Sequence, residues 1–527
     1  MLIGIEIDMR HAPPALGIDL GTTNSAAAVI FDDKVTVVTD EHGSPVHASA
    51  LAFTADGRVL VGNQAYAQSS DTLVLFSLKR LIGLHLNRKS EKQINTQYPF
   101  TVVSGPREEV FIQVSEQRYA IPELCAMILR YLKDLAESTL QIDLERTVIT
   151  VPAHFTDTQR QMTRLAAQLA GLTTLRIINE PTAAALGYGF GRGEQKRIAV
   201  YDLGGGTFDV TILDLDGNII EVLATGGDGY LGGDDFDLTL LDLIYDQLNI
   251  EQKPERYSRA QLLLARQAKH DLTNKTIATI SSAEFNHSDG ETRVTRSSAS
   301  TVWAPLLQRT FEVCKQALND SGVSVDQIDH VILVGGSTRM PYVQTEVARF
   351  FGQPPVSNVD PDTVVAVGAA TQAYALLAAG ITEPEALPLL IDVLPQTLGI
   401  ASVGGTMERV IEKNSVVPVN VRRTFSTTVN NQAEVRIQVY QGESHIAANN
   451  TRLGDVFLKG LPPAPKGEVN IDVVFEIDVN GCLIVRATDH LSGTRKEAKL
   501  YISAGYDEHT LNEMRARSGL MKLGTNR

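Results

Sequence analysis

Apolar and polar positions alternate as soon as the chain passes Ala15. Leu16, Ile18 and Leu20 are apolar with Gly17 and Asp19 between them, the period-two pattern of a strand. "AAAVIF" and "KVTVVTD" follow, separated by Asp32 and Asp33, and the three runs predict an antiparallel meander. The unit returns at Ile198. "IAVYDLG" is a strand, "TFDVTILDL" alternates through Phe208, Val210 and Ile212, Asp216-Gly217 is a turn, and "NIIEVLAT" is the third strand. Each copy ends its first strand in Asp-Leu-Gly with threonine close behind: "GIDLGTTNS" from Gly17 to Ser25 and "YDLGGGTFD" from Tyr201 to Asp209. Two pseudo-repeated lobes are expected.

Helical patterns follow each meander. "RTVITVPAHF" reads as a buried strand ending at a proline, and Thr156 and Gln159 have the spacing of a capping box. The helix after them puts Met162, Leu165, Ala166 and Leu169 on one face, with Gly171 at its stop. In the second lobe "HVILVGGSTRMP" is a strand ending in Gly335-Gly336, and a helix starts near Pro341. Near residue 380 the pattern gives way to a connector with Pro384, Pro388 and Pro395. Strand periodicity then takes over. Val435, Ile437 and Val439 alternate with Arg436 and Gln438, and Asn480-Gly481 predicts a two-residue hairpin turn. The expected organisation is an N-terminal extension over 1–15, a first domain over 16–380 with lobes of about 16–195 and 196–380, a linker over 381–394, an all-β sandwich over 395–503 and a short helical tail over 504–527.

Composition narrows the function classes. Of 527 residues, 43% are apolar and 21% charged, ordinary globular proportions. The net charge of −15 argues against nucleic acid as the main partner. It leaves room for a polyphosphate that brings its own cation. No apolar run approaches the ~18 residues of a membrane span, so no membrane is expected as a partner. "MLIGIEIDMRHAPPA" lacks the apolar core of a secretory signal. Cys125, Cys314 and Cys482 are odd in number and far apart, without metal spacing. No disulfide framework is expected, and a reduced, cytoplasmic compartment is.

The repeated turns carry the chemistry. A nucleoside triphosphate can be cradled by backbone N–H groups only where no Cβ blocks the approach, hence glycine. Threonine hydroxyls add donors, and a carboxylate at the strand end can hold magnesium through its waters. Two such turns, one from each lobe, would grip phosphates from opposite sides. One copy alone is equally well read as a hairpin turn with a solvated Asp. "LVGGSTRMP" adds a glycine turn at a helix N-terminus, where an anion or ribose group is well placed.

With these turns stand "SLKRLIG", "VITVPAHFTDTQRQMT", "IINEPTAAALGYG", "LGGDDFD" and "VDPDTVVAVGAA", in order to residue 370, and "DVLPQTLGI", "TFSTTVNNQAEVRIQVYQGES" and "IDVNGCLIVRATD" beyond. The chain resembles the seventy-kilodalton heat-shock chaperones of DnaK type over nearly its whole length. The resemblance implies an α/β actin-like (ribonuclease H-like, two-lobed) ATPase domain followed by an all-β sandwich that binds peptide, with only a vestigial C-terminal helix. It implies ATP and ADP as ligands, with magnesium and with potassium as a further candidate ion. Asp19 and Asp202 would stand on the magnesium side, acting through waters. Gly21, Thr22 and Thr23 would form one phosphate loop and Gly204, Gly205, Gly206 and Thr207 the other, with Gly232 and Gly233 beside them. Lys79 matches the lysine that orients the attacking water, and Glu180 the carboxylate near it. Lys269, Thr273, Gly335, Gly336, Ser337, Arg339 and Asp362 match the adenosine pocket. Pro152 and Arg160 match a relay toward the linker, which keeps Leu389, Leu390, Ile391 and Asp392, and Arg176 matches a position that meets J-domain helpers. Ile400, Val403, Phe425, Thr428, Val435 and Ile437 match the lining of the peptide groove.

Plainer readings stand beside several of these. Lys79 beside Arg80 is, out of context, an ordinary solvated pair. Glu180 could merely cap the helix at Pro181. His154, where the family usually has tyrosine, reads as packing, and Trp303 as core. The groove residues, by alternation alone, are sandwich core.

Departures from the family pattern carry their own expectations. Arg266 replaces a usual acid and His270 a usual arginine, which implies weaker stacking on adenine and faster nucleotide exchange. Leu387 and Pro388 replace the first two linker residues, and Pro388 removes an N–H from strand-like docking. Val403 and Thr428 would make a smaller arch over peptide. The short tail suggests a short-lid member similar to the HscC-type branch. The expected function is ATP hydrolysis coupled to binding and release of client peptides or proteins, with a J-domain co-chaperone and a candidate exchange factor as partners. The alternatives are an ATP-gated scaffold with one fixed partner and a small-molecule kinase of the same fold.

Overall fold

Two mixed sheets repeat one connectivity in the computed structural model, which describes residues 14–31, 34–69, 72–86, 88–189, 195–285, 290–356, 359–379, 387–402, 404–489, 495–496, 501–502, 506 and 508–520. The first sheet contains β1 (Leu16–Asp19), β2 (Asn24–Phe31), β3 (Lys34–Val37), β4 (Arg146–Val151) and β5 (Thr173–Asn179), in the order β5-β4-β1-β2-β3. The second contains β6 (Lys196–Leu203), β7 (Phe208–Asp216), β8 (Ile219–Asp228) and β9 (His330–Val334). In each, three antiparallel strands form the expected meander, and a later strand joins the first in parallel. Residues 1–13 of the expected extension, and the Asp32-Asp33 turn, lie outside the described residues.

Local signals set the helix ends. Thr156 and Gln159 form a complete capping box at the start of α2 (Asp157–Leu169), which follows α1 (Ile121–Leu140) in the chain. Gly171, just past the end of α2, has φ +78°, a conformation a side chain resists. Pro341 is the first residue of the helix Pro341–Phe351.

The sheets are joined by two helices that change sides. α3 (Glu180–Gly189) follows β5 of the first sheet yet packs on the second. Beyond α4 (Gly233–Gln247), α5 (Arg259–Asn274) and α6 (Arg296–Ser321) comes α7 (Val364–Ala378), which lies against β1, β2 and β4 of the first sheet. α3 and α7 cross through small residues. A methyl on Gly368 would strike the Ala183 carbonyl, one on Gly187 the Val364 carbonyl, and one on Gly17 the backbone of Ala370. The outer faces are covered by α1 and α2 on the first sheet, and by α4, α5 and α6 around Tyr201, Phe208 and Phe236 on the second. Trp303 belongs to that second core, as expected, its indole N–H donating to the Phe236 carbonyl at 3.1 Å. Cys125, Cys314 and Cys482 are free and buried, and burial pushes all three thiols up, Cys125 and Cys482 to about 12.

The connector ends as a strand. β10 (Leu389–Val393) adds to β8 in parallel, pairing Leu389, Leu390 and Ile391 with Ile219, Ile220 and Glu221. The ladder begins one residue after Pro388, with the Leu389 N–H on the Asn218 carbonyl at 2.9 Å. The N–H that proline lacks is therefore not one the docking uses. Residues 380–386 lie outside the described residues.

Two further sheets face each other beyond it. β11 (Leu398–Ala401), β12 (Met407–Ile411), β14 (Glu434–Gln441) and β15 (Thr451–Lys459) form one, in which β13 (Val419–Ser426) takes no part. β13 pairs instead with β16 (Asn470–Ile477), which pairs with β17 (Leu483–Asp489). Val439, Val456, Ile471, Val473 and Phe475 fill the space between them. The Asn480-Gly481 turn is longer than the expected two residues: the ladder ends at Ile477 and Leu483, and Asp478 N–H bonds the Cys482 carbonyl across the loop. The last helix, α8 (Glu508–Leu520), lies on α1. Arg517 donates twice to Glu123, at 2.7 and 3.0 Å, and Met514 is buried beside Phe111 and Ala120. Among the described residues no helix is long and apolar enough to cross a membrane.

The α3–α7 crossing allows a direct test. Gly368→Ala forces a methyl into the Ala183 backbone, so a loss of about 3 kcal/mol is expected, typical of overpacking at its upper end. It should appear as a lowered urea midpoint of the first unfolding transition.

Candidate functional site

Asp19 ends β1 and Asp202 lies near the end of β6, so each Asp-Leu-Gly turn emerges at the same edge of its sheet. The turns meet. A Cβ on Gly205 would lie 2.7 Å from the Thr23 Cβ, and one on Gly206 would lie 2.6 Å from Arg80 Nε. Glycine is thus required by the closeness of the opposite loop. The backbone of the second turn is held from behind: the N–H groups of Gly233 and Asp234 donate to the carbonyls of Gly204 and Gly205, at 3.0 and 2.7 Å. Ser337 Oγ donates to the Gly204 carbonyl at 2.9 Å.

Between the turns lies a cavity of about 450 Å³. Most of the residues assigned to it from the sequence line it: Asp19, Gly21, Thr22, Thr23, Lys79, Glu180, Asp202, Gly204, Gly205, Thr207, Gly233, Lys269, Thr273, Gly335, Gly336, Ser337, Arg339 and Asp362. Gly206 and Gly232 do not. They stand behind the lining, where a Cβ on Gly232 would fall 2.5 Å from the Gly206 nitrogen. Among the lining residues not assigned from the sequence are Asn24, Asn63, Tyr66 and Asp234, while Arg266 and His270 were noted only as departures. Asp234 follows directly on the glycines of "LGGDDFD" and could have been taken with them. Tyr66 follows no pattern.

Carboxylates crowd the floor. Lys79 and Glu180 are buried and form an ion pair, so Lys79 is not a solvated surface charge. Burial lifts Glu180 to about 7 against the pull of Lys79. Burial raises Asp202 far above the carboxylate range, and Glu180, Asp209 and Asp19 add to it. Asp19 is raised by burial too, opposed by Lys79 and by a 3.2 Å bond from Thr150 Oγ1. The cluster is short of positive charge. Thr23 Oγ1 is buried at this cavity with no hydrogen-bond partner among the described residues. No three His, Cys, Asp or Glu side chains among those residues converge to hold a metal by themselves. The donor set therefore fits a hydrated divalent ion completed by phosphate oxygens rather than an all-protein cage.

The lobes are locked over the cavity. Arg80 of the first lobe reaches Asp235 of α4 at 2.5 Å and the Gly206 carbonyl at 2.8 Å. Ser77 Oγ donates to Asp234 at 2.7 Å. From α5, Arg266 donates to the Tyr66 hydroxyl and to Asp234, both at 2.8 Å, and Arg259 donates to the Tyr66 and Gln68 carbonyls at 2.7 and 2.8 Å. Burial works against charge at Asp234, yet Arg266 and Arg80 hold it below the usual carboxylate range. Arg266 is thus committed to closure across the cleft. The reading of faster exchange rests on His270 alone, which lines the rim of the cavity and whose imidazole is held below the ordinary histidine value by partial desolvation there and by Lys269. Arg339 is paired with Asp362 and Asp360.

A second contact set ties the first lobe to the sandwich. Asp157, first residue of α2, donates its N–H to Gln441 and accepts the Leu483 N–H at 2.7 Å. Asn480 accepts the Ile177 N–H at 3.0 Å, and its carbonyl accepts from Arg160. Arg160 is buried and also bonds the Ala153 carbonyl and Asn179. Asn179 in turn donates to Asp392 of β10 at 2.9 Å. Pro152 is buried in the same loop, and Arg176 on β5 has a buried Nε with no partner among the described residues. Leu390 is buried and Leu389 exposed. In the sandwich, Ile400 and Ile437 are core residues, Phe425 and Val435 pack on that core half-exposed, and Thr428 is exposed. Val403 lies outside the described residues.

His154 is not simple packing. Its Nδ1 lies 2.8 Å from Asp209 of the second lobe; Asp209 is buried and the imidazole largely covered.

The family model described as Hsp70 protein matches residues 15–523. That span covers both mixed sheets, the cavity between them and the sandwich, and by it the chain belongs to the Hsp70 family of ATP-hydrolysing chaperones, built from an actin-like ATPase domain and a β-sandwich that binds client proteins.

Proposed function

We propose that this chain hydrolyses ATP in the cavity between its lobes and uses the nucleotide state to set how its β-sandwich holds extended apolar peptides. The observation that carries the reading is the buried Lys79–Glu180 pair on the floor of a cavity walled by two interlocking glycine turns. Phosphoryl transfer to water needs positioning and charge neutralisation more than covalent help. Asp19 and Asp202 are the residues that would hold magnesium through its waters, and the ion would offset phosphate charge; potassium is a further candidate there. The glycine turns would cradle the phosphates, and Lys79 Nζ would meet the γ-phosphate and orient water. Glu180, lifted by burial, would accept that water's proton at its carboxylate. Lys269, Thr273, Ser337, Arg339 and Asp362 would surround the adenosine.

Coupling would run through the contacts of Asp157, Arg160, Asn179 and Asp392, which link the floor loop, β10 and the sandwich turn at Asn480. Coupling between two such sites is typically about 1–3 kcal/mol. Phe425, Thr428, Val435, Ile400 and Ile437 would line or back the peptide groove, with backbone bonds supplying affinity. We take Arg176 as the J-domain contact, an exchange factor as the partner that opens the cleft, and the divisions near residues 380 and 395 as the functional boundaries.

Three outcomes follow from this reading. Lys79→Ala should bind ATP within a few-fold of the parent yet lose roughly 3–4 kcal/mol of transition-state stabilisation, hundreds-fold in single-turnover hydrolysis; near-normal hydrolysis would end the assignment. Arg266→Ala, which frees Tyr66 and Asp234, should release a fluorescent ADP analogue about tenfold faster in stopped flow, the effect of losing one charged hydrogen bond. A library of extended apolar peptides should stimulate steady-state ATP turnover. A scaffold with one fixed partner would give no such stimulation, and a kinase would transfer phosphate to an acceptor.

A further inference from the structure

The loop Pro152–Phe155 touches three functional regions at once. On its second-lobe side, His154 Nδ1 lies 2.8 Å from Asp209 Oδ1, and the His154 backbone N–H points to the same oxygen at 3.3 Å. On the cavity side, Lys79 Nζ sits 5.7 Å from the centre of the Phe155 ring, which itself meets the imidazole edge-on at 6.0 Å. Toward the sandwich, the carbonyls of Ala153 and Phe155 accept from Arg160. The imidazole is therefore the loop's anchor to the opposite lobe.

The opposite lobe is shaped for a ring at this place. A Cβ on Gly227 would fall 2.6 Å from His154 Nδ1, and one on Gly229 would fall 2.9 Å from its Nε2. The imidazole sits against the end of β8, 14% exposed, beside an Asp209 that is 1% exposed.

The groups facing the ring are mostly acidic. Asp209 comes from β7, Asp228 from the end of β8, where Arg309 also holds it at 2.5 Å, and Glu180 from the start of α3. Lys79 is the cation on that side, beyond the Phe155 ring. Burial disfavours the imidazolium, but Asp209, and then Glu180 and Asp228, more than offset it, so His154 holds its proton above the ordinary histidine value of 6.5. The sign follows directly. The ionised pair is complete at low pH and is lost as pH rises through the folded value.

We propose that His154 is a positioning residue for hydrolysis: its imidazolium, clamped to Asp209 across the lobes, holds the loop that props Phe155 beneath Lys79, and the hydrolytic rate falls as the imidazolium gives up its proton. This rests on the reading of Lys79 as the hydrolytic lysine. Asparagine or glutamine in place of His154 could bond Asp209 but could not titrate, so the device is specific to histidine.

The full chain with carbon-13-labelled histidine gives the first measurement, His154→Gln assigning the resonance. His154 should titrate above 6.5, and in Asp209→Asn its midpoint should fall. Single-turnover hydrolysis at saturating ATP, from pH 6 to pH 8.5, gives the second. The parent rate should drop roughly three- to tenfold more over this range than that of His154→Gln, about the effect of one protonation step on a buried contact. Other titrating groups, ATP and Glu180 included, are common to both proteins. His154→Tyr, which keeps a donor for Asp209 and fills the space, should hydrolyse at the parent's low-pH rate without that inflection. Identical pH profiles in the parent and in His154→Gln, or a His154 midpoint below 6.5, would overturn the proposal. Failure of the Lys79 reading is separable: Lys79→Ala would then hydrolyse near normally while the histidine titration still depended on Asp209.

Discussion

Each lobe's connecting helix covers the other lobe's sheet, and that exchange is the constraint on which the rest depends. α3 leaves the first sheet and packs on the second; α7 returns to cover the first. They can lie side by side between two sheets only because glycine and alanine stand where they cross, at Gly368, Ala183 and Gly187. Neither sheet keeps its inner face covered without the other lobe. The lobes are consequently one folding unit, since separation would bare both faces to water.

The floor is where the electrostatic cost is concentrated. Asp19, Asp202, Asp209 and Glu180 are drawn together by strand pairing, Asp202 and Asp209 being register partners on adjacent strands. Burial, with like charges this close, raises the proton affinity of Asp19, Asp202 and Glu180, and Lys79 relieves it only in part. The remainder is a standing attraction for a cation with its phosphates. The upper rim is heavily bonded in turn: Arg80, Arg259 and Arg266 tie the two lobes together through carbonyls and carboxylates above that floor.

Features set by neighbours in the chain were legible in the sequence. Both meanders, the Thr156–Gln159 box, the Pro341 helix start and the alternation of β14 follow from local periodicity and turn chemistry. More than half of the cavity lining was legible, because glycine turns at strand ends and the motifs around them mark where the chain approaches closely. What escaped was set by distance along the chain. Tyr66 meets Arg266 across 200 positions, and His154 meets Asp209 across 55; nothing near Tyr66 or His154 announces a partner. The loop at Asn480 exceeds two residues because its side chain and carbonyl are used by Ile177 and Arg160 rather than by a minimal turn. Gly206 and Gly232 match the motif yet stand behind the lining, Gly232 against the Gly206 backbone and Gly206 against Thr22 and Arg80, so a glycine can serve the chain behind a site as well as the ligand in front of it.

The docked connector has one more consequence. β8 is the last of the second sheet's own strands, and β10 covers the hydrogen-bonding edge it would otherwise present to solvent, with Val416–Val417 continuing the sheet into the sandwich. An uncovered edge of this kind invites pairing with any extended segment nearby. Were the connector to leave β8, it would expose a strand edge on which an unrelated extended chain could take its place.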